Sequence, residues 1–399
     1  MISVQEANDI VLKEVRRSAV ELVPLPKAHG RVLRESLVCD RDQPAFDKST
    51  MDGIALSSVV FNRGIRSFRI HATVAAGMPA PKQKVKDGCF KIMTGAVVPS
   101  GCDVVIPVEY IQVNGDFAVV TGLTSVNSGW NVRYKGKDCP KGKVLLNFGS
   151  RLLPVHIAAA ASIGKAVIKV SRLPKIAIIS TGDELVDIRK KKIKPYQTRS
   201  SNAFAVASAV EAQQLGVTQI FHLKDDPKVL ERELKKILNR SDILVLSGGV
   251  SMGDFDFIPQ VLARLKVKRL FHKVGQKPGK PFWFGKTSDE KTVFALPGNP
   301  VSTLVCAYRY LLPFLKKSAG LTLDVPQVFL EKDVHVKTDL AVFLQVECSR
   351  SRDGRMSARV LETGGSGDFA SLTNSDGFVE IKDGGGHILH NTIVDYYPW

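Results

Sequence analysis

The segment from Lys175 to Gly320 alternates strand-like apolar runs with helical stretches, and this alternation restricts the possible folds of the chain most strongly. Strands are predicted at Ile176–Ile179, Val217–Leu223, Asp242–Leu246, Val267–Val274 and Thr292–Leu296. The stretches between and after them carry apolar residues at helical spacing, at Ser201–Leu215, Pro227–Leu238, Ile258–Leu265 and Ser302–Ala319. Alternating strands and helices predict a doubly wound α/β domain with a mainly parallel sheet.

The flanking sequence has other periodicities. Ser3 and Glu6 form a capping box that predicts a helix over about residues 4–18, and Pro154 begins an alanine-rich helix that Gly164 ends. Short apolar runs broken by glycine and proline follow Phe46, and Asn114-Gly115 predicts a hairpin over Val104–Val120. After Pro326 the period is two, with strands predicted at Phe329–Val336, Ala341–Cys348, Met356–Leu361, Gly377–Ile381 and Thr392–Tyr396.

These patterns predict a multidomain α/β protein. The helical N-terminal segment belongs to a scaffold domain formed by residues 1–45 and 134–172, with a β-rich domain inserted at 46–133. The α/β domain spans 173–322, and a C-terminal β-barrel spans 323–399.

Charge and cysteine content narrow the class of partner. The 56 basic and 39 acidic residues give a formal net charge of +17, which favours anionic ligands, although a basic solvated surface would give the same excess. We expect no nucleic-acid partner, because the sequence has no RNA-binding signature or zinc-finger spacing. The six scattered cysteines form no C-x-x-C pair, and neither a signal peptide nor a membrane span is evident. We therefore expect a cytoplasmic protein without a membrane partner.

Three loops follow predicted strands of the α/β domain, at Ser180–Glu184, Ser247–Asp256 and Leu296–Ser302. Ligands of open α/β sheets bind outside the carboxyl ends of the strands, so these loops should converge. Their glycines allow close approach of the backbone, and the last loop opens a helix whose N–H groups could face an anion. Each loop taken alone is more often a simple turn.

The loops bring carboxylates together with lysines. Asp183, Glu184, Asp254 and Asp256 should lie close to one another, and clustered carboxylates favour a hard cation such as Mg²⁺, although an aspartate here could instead cap a helix. Lys277-Pro278-Gly279-Lys280-Pro281 presents two cations on a stiff loop, suited to a phosphate or oxyanion, with a solvated turn as the alternative. No H-E-x-x-H or G-x-S-x-G motif is present.

At these residues the sequence resembles the molybdopterin molybdotransferases, the family that includes MoeA and the E domain of gephyrin. The segment Phe46–Gly53 reads F-D-K-S-T-M-D-G, similar to the family's F-D-N-S-A-M-D-G. The further matching segments, in family order, are Ile92–Pro99, Asn131–Asp138, Ser180–Leu185, Ser247–Asp256, Lys277–Pro281, Leu296–Ser302 and Gly365–Gly367. The resemblance extends over nearly the whole chain.

The resemblance implies an enzyme that inserts molybdenum from molybdate into adenylylated molybdopterin, with Mg²⁺ assisting and AMP leaving. It assigns to the pterin-nucleotide and metal site the residues Asp52, Thr94, Asp138, Glu184 and Asp256, of which Glu184 and Asp256 are the metal ligands. It associates molybdate or the phosphates with Lys277, Lys280, Ser302 and Ser366. Further substrate-binding residues are expected in the loops, at Gly248, Gly249, Ser251, Pro297, Gly298, Asn299 and Pro300.

The resemblance also implies an elongated homodimer, in which the α/β loops of one subunit face the inserted domain of the other. Further implied partners are the molybdopterin adenylyltransferase and the recipient molybdoenzymes. Two alternatives remain open: a molybdopterin adenylyltransferase, which shares the α/β domain, and a non-catalytic molybdopterin-binding scaffold.

Several positions depart from the family pattern. Ile54 stands where Tyr is usual, Lys137 replaces Glu, and Ser200 replaces Asp. Gln345 stands where the barrel often has an arginine that helps to hold molybdate. Loss of this fixed cation should weaken oxyanion binding unless Arg350 or Lys137 substitutes. The basic segment Arg189–Lys192 is interpreted as a solvated loop, with steering of anions as the alternative.

Overall fold

The computed structural model of the chain describes residues 1–82, 86–250, 256–382 and 385–399. The chain forms two compact units. The larger unit contains Met1–Arg34, Gly149–Leu153 and Ile168–Trp399, and the smaller unit contains Glu35–Phe148 and Pro154–Val167. The division into four domains, with the boundaries given above, stays a prediction.

The larger unit contains the α/β sheet expected from the alternating pattern. Its strands, in order across the sheet, are Val217–Leu223, Lys175–Thr181, Ile243–Ser247, Thr292–Leu296, Trp283–Lys286 and Lys268–His272. The first four are parallel, and the last two join by antiparallel pairing. The strand Trp283–Lys286 was not predicted from sequence, because its short apolar run directly follows a proline- and glycine-rich loop.

Helices cover both faces of this sheet, at Asn202–Ala212, Pro227–Arg240, Ile258–Arg264, Pro300–Cys306 and Leu312–Ala319, the last two joined by a π-helical turn at Ala307–Leu311. The Asp226 side chain caps the second of them by accepting a hydrogen bond from the Val229 N–H. That helix buries Leu230, Leu234, Ile237 and Leu238 at helical spacing against the sheet. None of the helices described is long and apolar enough to cross a membrane.

The N-terminal helix spans Val4–Lys13 and begins with the predicted capping box of Ser3 and Glu6. The expectation that it continues to about residue 18 is wrong. The residues after it bond instead to another helix: the Ser18 N–H donates to the Ser318 carbonyl at 2.9 Å, and the Ser318 hydroxyl donates to the Arg16 carbonyl at 2.7 Å. These tertiary bonds replace the ones that further helical turns would supply.

The C-terminal strands close into the expected barrel. Ala341–Arg350 pairs with both Met356–Val360 and Gly377–Ile381, and the ring is completed by Gln327–Leu330 and Ile393–Pro398. The prediction of one strand over Phe329–Val336 is wrong. The chain turns at Glu331–Asp333, and Val334–Val336 pairs separately with Gly386–Ile388 in a small two-stranded sheet.

The smaller unit is built on a second mixed sheet. Its strands, in order, are Val104–Pro107, Gly53–Leu56, Gly88–Ile92, Ser67–Val74, Phe117–Val120 and Ile111–Asn114. The hairpin turn at Asn114-Gly115 is confirmed, but it joins only the last two strands, because Val104–Pro107 pairs with Gly53–Leu56 instead. Short helices lie at Ser58–Asn62 and Pro154–Ser162, the second at the predicted place.

Candidate active site

The three glycine-containing loops of the α/β sheet converge, as the strand order predicts. They meet at the carboxyl ends of three parallel neighbours, Lys175–Thr181, Ile243–Ser247 and Thr292–Leu296. Their residues line one cavity of about 380 Å³, which we call the acidic cavity. The predicted substrate-binding residues on it are Gly248, Gly249, Pro297, Gly298 and Pro300. Ser251 and Asp254 lie outside the described residues.

Carboxylates from three separate segments face the acidic cavity. Two of them, Glu184 and Asp256, were predicted, and the third, Asp225, was not. Burial raises the pKa of Asp225, and the negative charges of Asp183 and Glu184 raise it further. Asp183 itself is not among the lining residues and accepts a 3.4 Å hydrogen bond from the Asp225 N–H. Arg199 also lines the cavity and donates to the Lys190 carbonyl at 2.8 Å, so the three carboxylates leave the lining with an excess of negative charge.

The negative charge of the acidic cavity does not by itself amount to a preassembled metal-binding cluster. Over residues 1–82, 86–250, 256–382 and 385–399, no group of three or more histidine, cysteine, aspartate or glutamate side chains is already arranged to hold a metal ion. Carboxylate oxygens are nevertheless the ligand type that Mg²⁺ prefers, usually together with substrate phosphates and water. Glu184 and Asp256 could act in this way with a bound phosphate.

Asn202 holds the loops of the acidic cavity together. Its side-chain amide lies within hydrogen-bonding distance of Ser247 Oγ at 3.0 Å, the Gly298 carbonyl at 2.7 Å and Thr303 Oγ1 at 3.1 Å. The strand ends and the last loop are thus tied to the start of one helix. Ser200, the residue that replaces the family aspartate, donates to Ser180 Oγ at 3.0 Å and adds no charge.

Gly248 and Gly249 are required by the shape of their loop. Their φ angles are +100° and +65°, in the region that glycine adopts most readily. A Cβ atom on Gly248 would lie 2.7 Å from the Thr181 carbonyl oxygen, and one on Gly249 would lie 2.9 Å from Ile258 Cγ1. Side chains here would therefore push the loop away from the neighbouring strand end.

A second cavity, of about 920 Å³, adjoins the first, and we call it the basic cavity. Both cavities are lined by Pro281, Pro297 and Gly298, which form a shared wall. The lining of the basic cavity includes Lys277, Lys280, Asn299, Ser302 and Ser366, all predicted as substrate-binding residues. No aspartate or glutamate of the described ranges lines this cavity, so its charge is opposite to that of its neighbour.

Buried polar groups hold the segment Lys277–Pro281, which we call the lysine loop, in place. Gln276 is fully buried, its amide donates to the Pro278 carbonyl at 3.1 Å, and its carbonyl accepts from the Tyr310 hydroxyl. Gly279 has a φ of +97°, and a Cβ atom there would lie 2.9 Å from Cys306 Sγ. The turn between the two lysines is therefore held in one conformation, which lowers the entropic cost of binding an anion.

The departure at Gln345 places a neutral side chain on the basic cavity. Gln345 is 5% exposed, and its amide donates to Ser371 Oγ at 3.0 Å. Arg350, one of the two residues that could replace the cation lost at Gln345, does not line the basic cavity. It stands at the end of the same strand, opposite Met356. Ser366 accepts a 2.8 Å hydrogen bond from the Asn299 amide, which ties the late glycine-containing loop to the cavity.

In the smaller unit, three family-like segments meet at the short strand Lys48–Ser49. This strand pairs with Val132–Arg133, and the Ser49 N–H donates to the Ala96 carbonyl at 2.9 Å. Asp52 accepts hydrogen bonds of 2.6 Å from both the N–H and the hydroxyl of Thr94. These bonds lower the pKa of the exposed Asp52 carboxyl, the hydroxyl having the larger effect.

Asp138 is the remaining predicted residue of the smaller unit. Its carboxylate forms an ion pair with Arg133, whose Nε donates to it at 2.6 Å. The Asp138 N–H also donates to the Gln43 carbonyl at 2.9 Å. Each predicted site residue of the smaller unit is therefore oriented by a specific contact within that unit.

Comparison with known proteins matches three segments of the chain to known protein families. Residues 2–164 match the MoeA N-terminal region (domains I and II), residues 177–317 match a probable molybdopterin binding domain, and residues 327–399 match the MoeA C-terminal region (domain IV). A molybdopterin molybdenumtransferase of Synechocystis sp. is 36% identical over 400 residues, covering 100% of both chains. The chain belongs to the MoeA family.

Other members of the MoeA family support the full-length match. A molybdopterin molybdenumtransferase of Haemophilus influenzae is 29% identical and covers 100% of this chain and 99% of its own. The crystal structure of a molybdopterin biosynthesis MoeA protein from Pyrococcus horikoshii superimposes with a TM-score of 0.84 at 28% identity, covering 100% of this chain and 99% of that one. The predicted fold class is therefore confirmed.

Proposed function

We propose that this chain transfers molybdenum from molybdate into adenylylated molybdopterin and releases AMP. It is a transferase of molybdenum cofactor biosynthesis. The observation that carries the proposal is the pair of adjoining cavities, acidic around Glu184, Asp225 and Asp256 and basic around Lys277 and Lys280. A cation-assisted phosphate site and an oxyanion site would then share the wall formed by Pro297 and Gly298.

We assign Mg²⁺ to Glu184 and Asp256 in the acidic cavity. The raised pKa of Asp225, caused first by burial and then by the negative charges of Asp183 and Glu184, is consistent with this assignment, because a bound cation would offset those charges. Bound there, Mg²⁺ would polarise the phosphoryl oxygens of the adenylyl anhydride. The chain's own contribution is to hold the phosphates against the glycine loop of Gly248 and Gly249, which approaches a ligand through backbone alone.

In the basic cavity, Lys277 and Lys280 would offset the charge of molybdate, with Ser302 and Ser366 as hydrogen-bonding groups. The sulfur ligands that molybdenum finally takes belong to the pterin, so the chain needs no cysteine there. Cys306 stands behind the lysine loop, fully buried, and burial raises the pKa of its thiol.

The smaller unit would supply Asp52, Thr94 and Asp138 to the pterin-nucleotide site of a partner subunit. This assignment requires the elongated homodimer that the family resemblance implies. Light scattering at micromolar concentration tests it, since the dimer should have about twice the 43.6 kDa mass of one chain, and a monomer at that concentration would contradict it. The cytoplasmic location and the contacts with an adenylyltransferase and with molybdoenzymes remain predictions.

The alternative activity, adenylyl transfer to molybdopterin, receives no support from the comparisons. The match to a probable molybdopterin binding domain covers only residues 177–317, whereas the MoeA regions on either side account for the rest of the chain. Turnover by the purified chain would exclude the second alternative, a non-catalytic scaffold. The test is formation of molybdenum cofactor by the purified chain from adenylylated molybdopterin, molybdate and Mg²⁺. A chain that binds these substrates without forming cofactor would refute the proposal.

Asp256→Asn tests the metal assignment separately. The substitution removes one negative charge from the acidic cavity while conserving side-chain size. We expect turnover to fall on the order of 10²-fold. Asp324→Asn, at an exposed position outside both cavities, is the matched control. Wild-type turnover by Asp256→Asn with Mg²⁺ present would refute the metal role.

A further inference from the structure

Lys337 is a third cation of the basic cavity, and no sequence motif indicated it. It follows directly after the strand Val334–Val336, which pairs with Gly386–Ile388 in the small sheet beside the barrel. Lys337 lines the basic cavity together with Lys277 and Lys280, although it comes from a different part of the chain. The cavity thus receives positive charge from both the lysine loop and the barrel domain.

The surroundings leave the charge of Lys337 available to a ligand. Elsewhere in the same unit, basic side chains pair with carboxylates, as Arg172 does with Asp242 and Arg309 with Glu380. Lys337, Lys277 and Lys280 make no ion pair with any carboxylate that the structure describes. Cations that line a shared cavity repel one another, and an anion bound among them would relieve this repulsion.

The neutral residue Gln345 indicates why the positive charge of Lys337 is important for binding an anion in the basic cavity. The neutral Gln345 amide lies on the same cavity and is held by Ser371, so the barrel strand beneath the cavity contributes no positive charge there. We propose that Lys337 supplies the barrel-side cation for the oxyanion substrate and so determines the affinity of this chain for molybdate. This inference rests on the proposed function for the identity of the anion.

Direct binding of molybdate, followed by calorimetry on the full-length chain, tests the inference without turnover. Lys337→Gln should raise the Kd for molybdate about ten-fold, because one cation near a doubly charged anion is lost. Lys337→Arg keeps the charge and should stay within about two-fold of the wild type. Lys332→Gln, an exposed lysine in the turn before the same strand but outside the cavity, is the matched control and should have no effect.

A salt series adds a second readout. The Kd of the wild type should rise more steeply with ionic strength than that of Lys337→Gln, because screening acts on each contributing charge. If Lys337→Gln binds molybdate within two-fold of the wild type, the inference is wrong. If the substitution also raises the KM for adenylylated molybdopterin while the molybdate Kd stays unchanged, Lys337 contacts a substrate phosphate instead of molybdate.

The outcomes separate this inference from the proposed function. Molybdate binding that depends on Lys337 in a chain that forms no molybdenum cofactor would refute the transferase function and leave the oxyanion assignment intact. Cofactor formation with the same KM for molybdate in Lys337→Gln and the wild type would refute the assignment of Lys337 and leave the transferase function intact.

Discussion

Thr94 donates two hydrogen bonds to the carboxylate of Asp52, one from its backbone N–H and one from its hydroxyl, each at 2.6 Å. The two residues are 42 positions apart and lie in separate family-like segments. The contact holds the carboxylate in one orientation at the surface of the smaller unit. Both hydrogen bonds favour the ionised form, which is why the pKa of Asp52 is lowered.

Removal of the Thr94 hydroxyl should therefore weaken the site without unfolding the unit. Thr94→Val keeps the shape of the side chain and the backbone hydrogen bond. We expect the pKa of Asp52 to rise and AMP release to slow about ten-fold, with the low-pH limb of the rate profile moving to higher pH. Thr121→Val, at an exposed position of the same unit, is the control. An unchanged rate and pH profile in Thr94→Val would rule out a role for this contact.

The acidic cavity should respond to Mg²⁺ even without substrate. Mg²⁺ at ten times its Kd should stabilise the wild type by about 1.4 kcal/mol, measured as a rise in Tm. Asp225→Asn should raise the Tm in EDTA, because it relieves repulsion from Asp183 and Glu184, and should reduce the shift produced by Mg²⁺. Asp324→Asn should behave as the wild type. Equal Mg²⁺ shifts in Asp225→Asn and the wild type would contradict a cation bound among these carboxylates.

Asp242 should make stability depend on pH. Burial alone would raise its pKa, but hydrogen bonds from Arg172 at 3.0 and 3.1 Å and from the Lys175 N–H at 2.7 Å outweigh this effect and lower it below 3.8. A carboxyl with a lowered pKa stabilises the fold above its unfolded-state pKa and loses this contribution as the pH falls through the folded-state value. Asp242→Asn should thus lower the Tm at pH 7, and the difference from the wild type should shrink below pH 3.8. A pH-independent difference would show that the charge is not responsible.

The buried ion pair of Arg309 and Glu380 links the last α/β helices to the barrel. The two residues are 9% and 5% exposed, and the Tyr397 hydroxyl also donates to Glu380 at 2.8 Å. Glu380→Leu leaves the arginine buried without its partner and should lower the free energy of unfolding by about 3–5 kcal/mol. The double variant Arg309→Met/Glu380→Leu should recover most of this loss in denaturant titrations. A double variant as unstable as the single one would show that lost packing, and not the unpaired charge, dominates.

The sequence predicted those parts of the site that follow from local pattern and sheet topology. The convergence of Ser180–Glu184 with Leu296–Ser302 follows from parallel strands, whose carboxyl ends share one edge. The same rule could have identified Asp225, which follows the strand Val217–Leu223 at that edge, but no glycine motif marks it.

Other features depend on contacts between distant segments. The bond from Thr94 to Asp52 arises from pairing around Ser49, and the position of Lys337 arises from the pairing of Val334–Val336 with Gly386–Ile388. Neither pairing leaves a periodic signal in the sequence. The early end of the first helix at Lys13 has the same origin, because tertiary hydrogen bonds to Ser318 outweigh the local helical pattern.

We expect this one chain to couple insertion of molybdenum to release of AMP. The most direct measurement follows both products in one reaction that contains the purified chain, adenylylated molybdopterin and Mg²⁺, before and after molybdate is added. Coupling requires that AMP release begins with molybdate, that AMP and molybdenum cofactor appear in a ratio of about one to one, and that Asp256→Asn slows both together. Release of AMP without molybdenum insertion, or insertion without AMP, would contradict it.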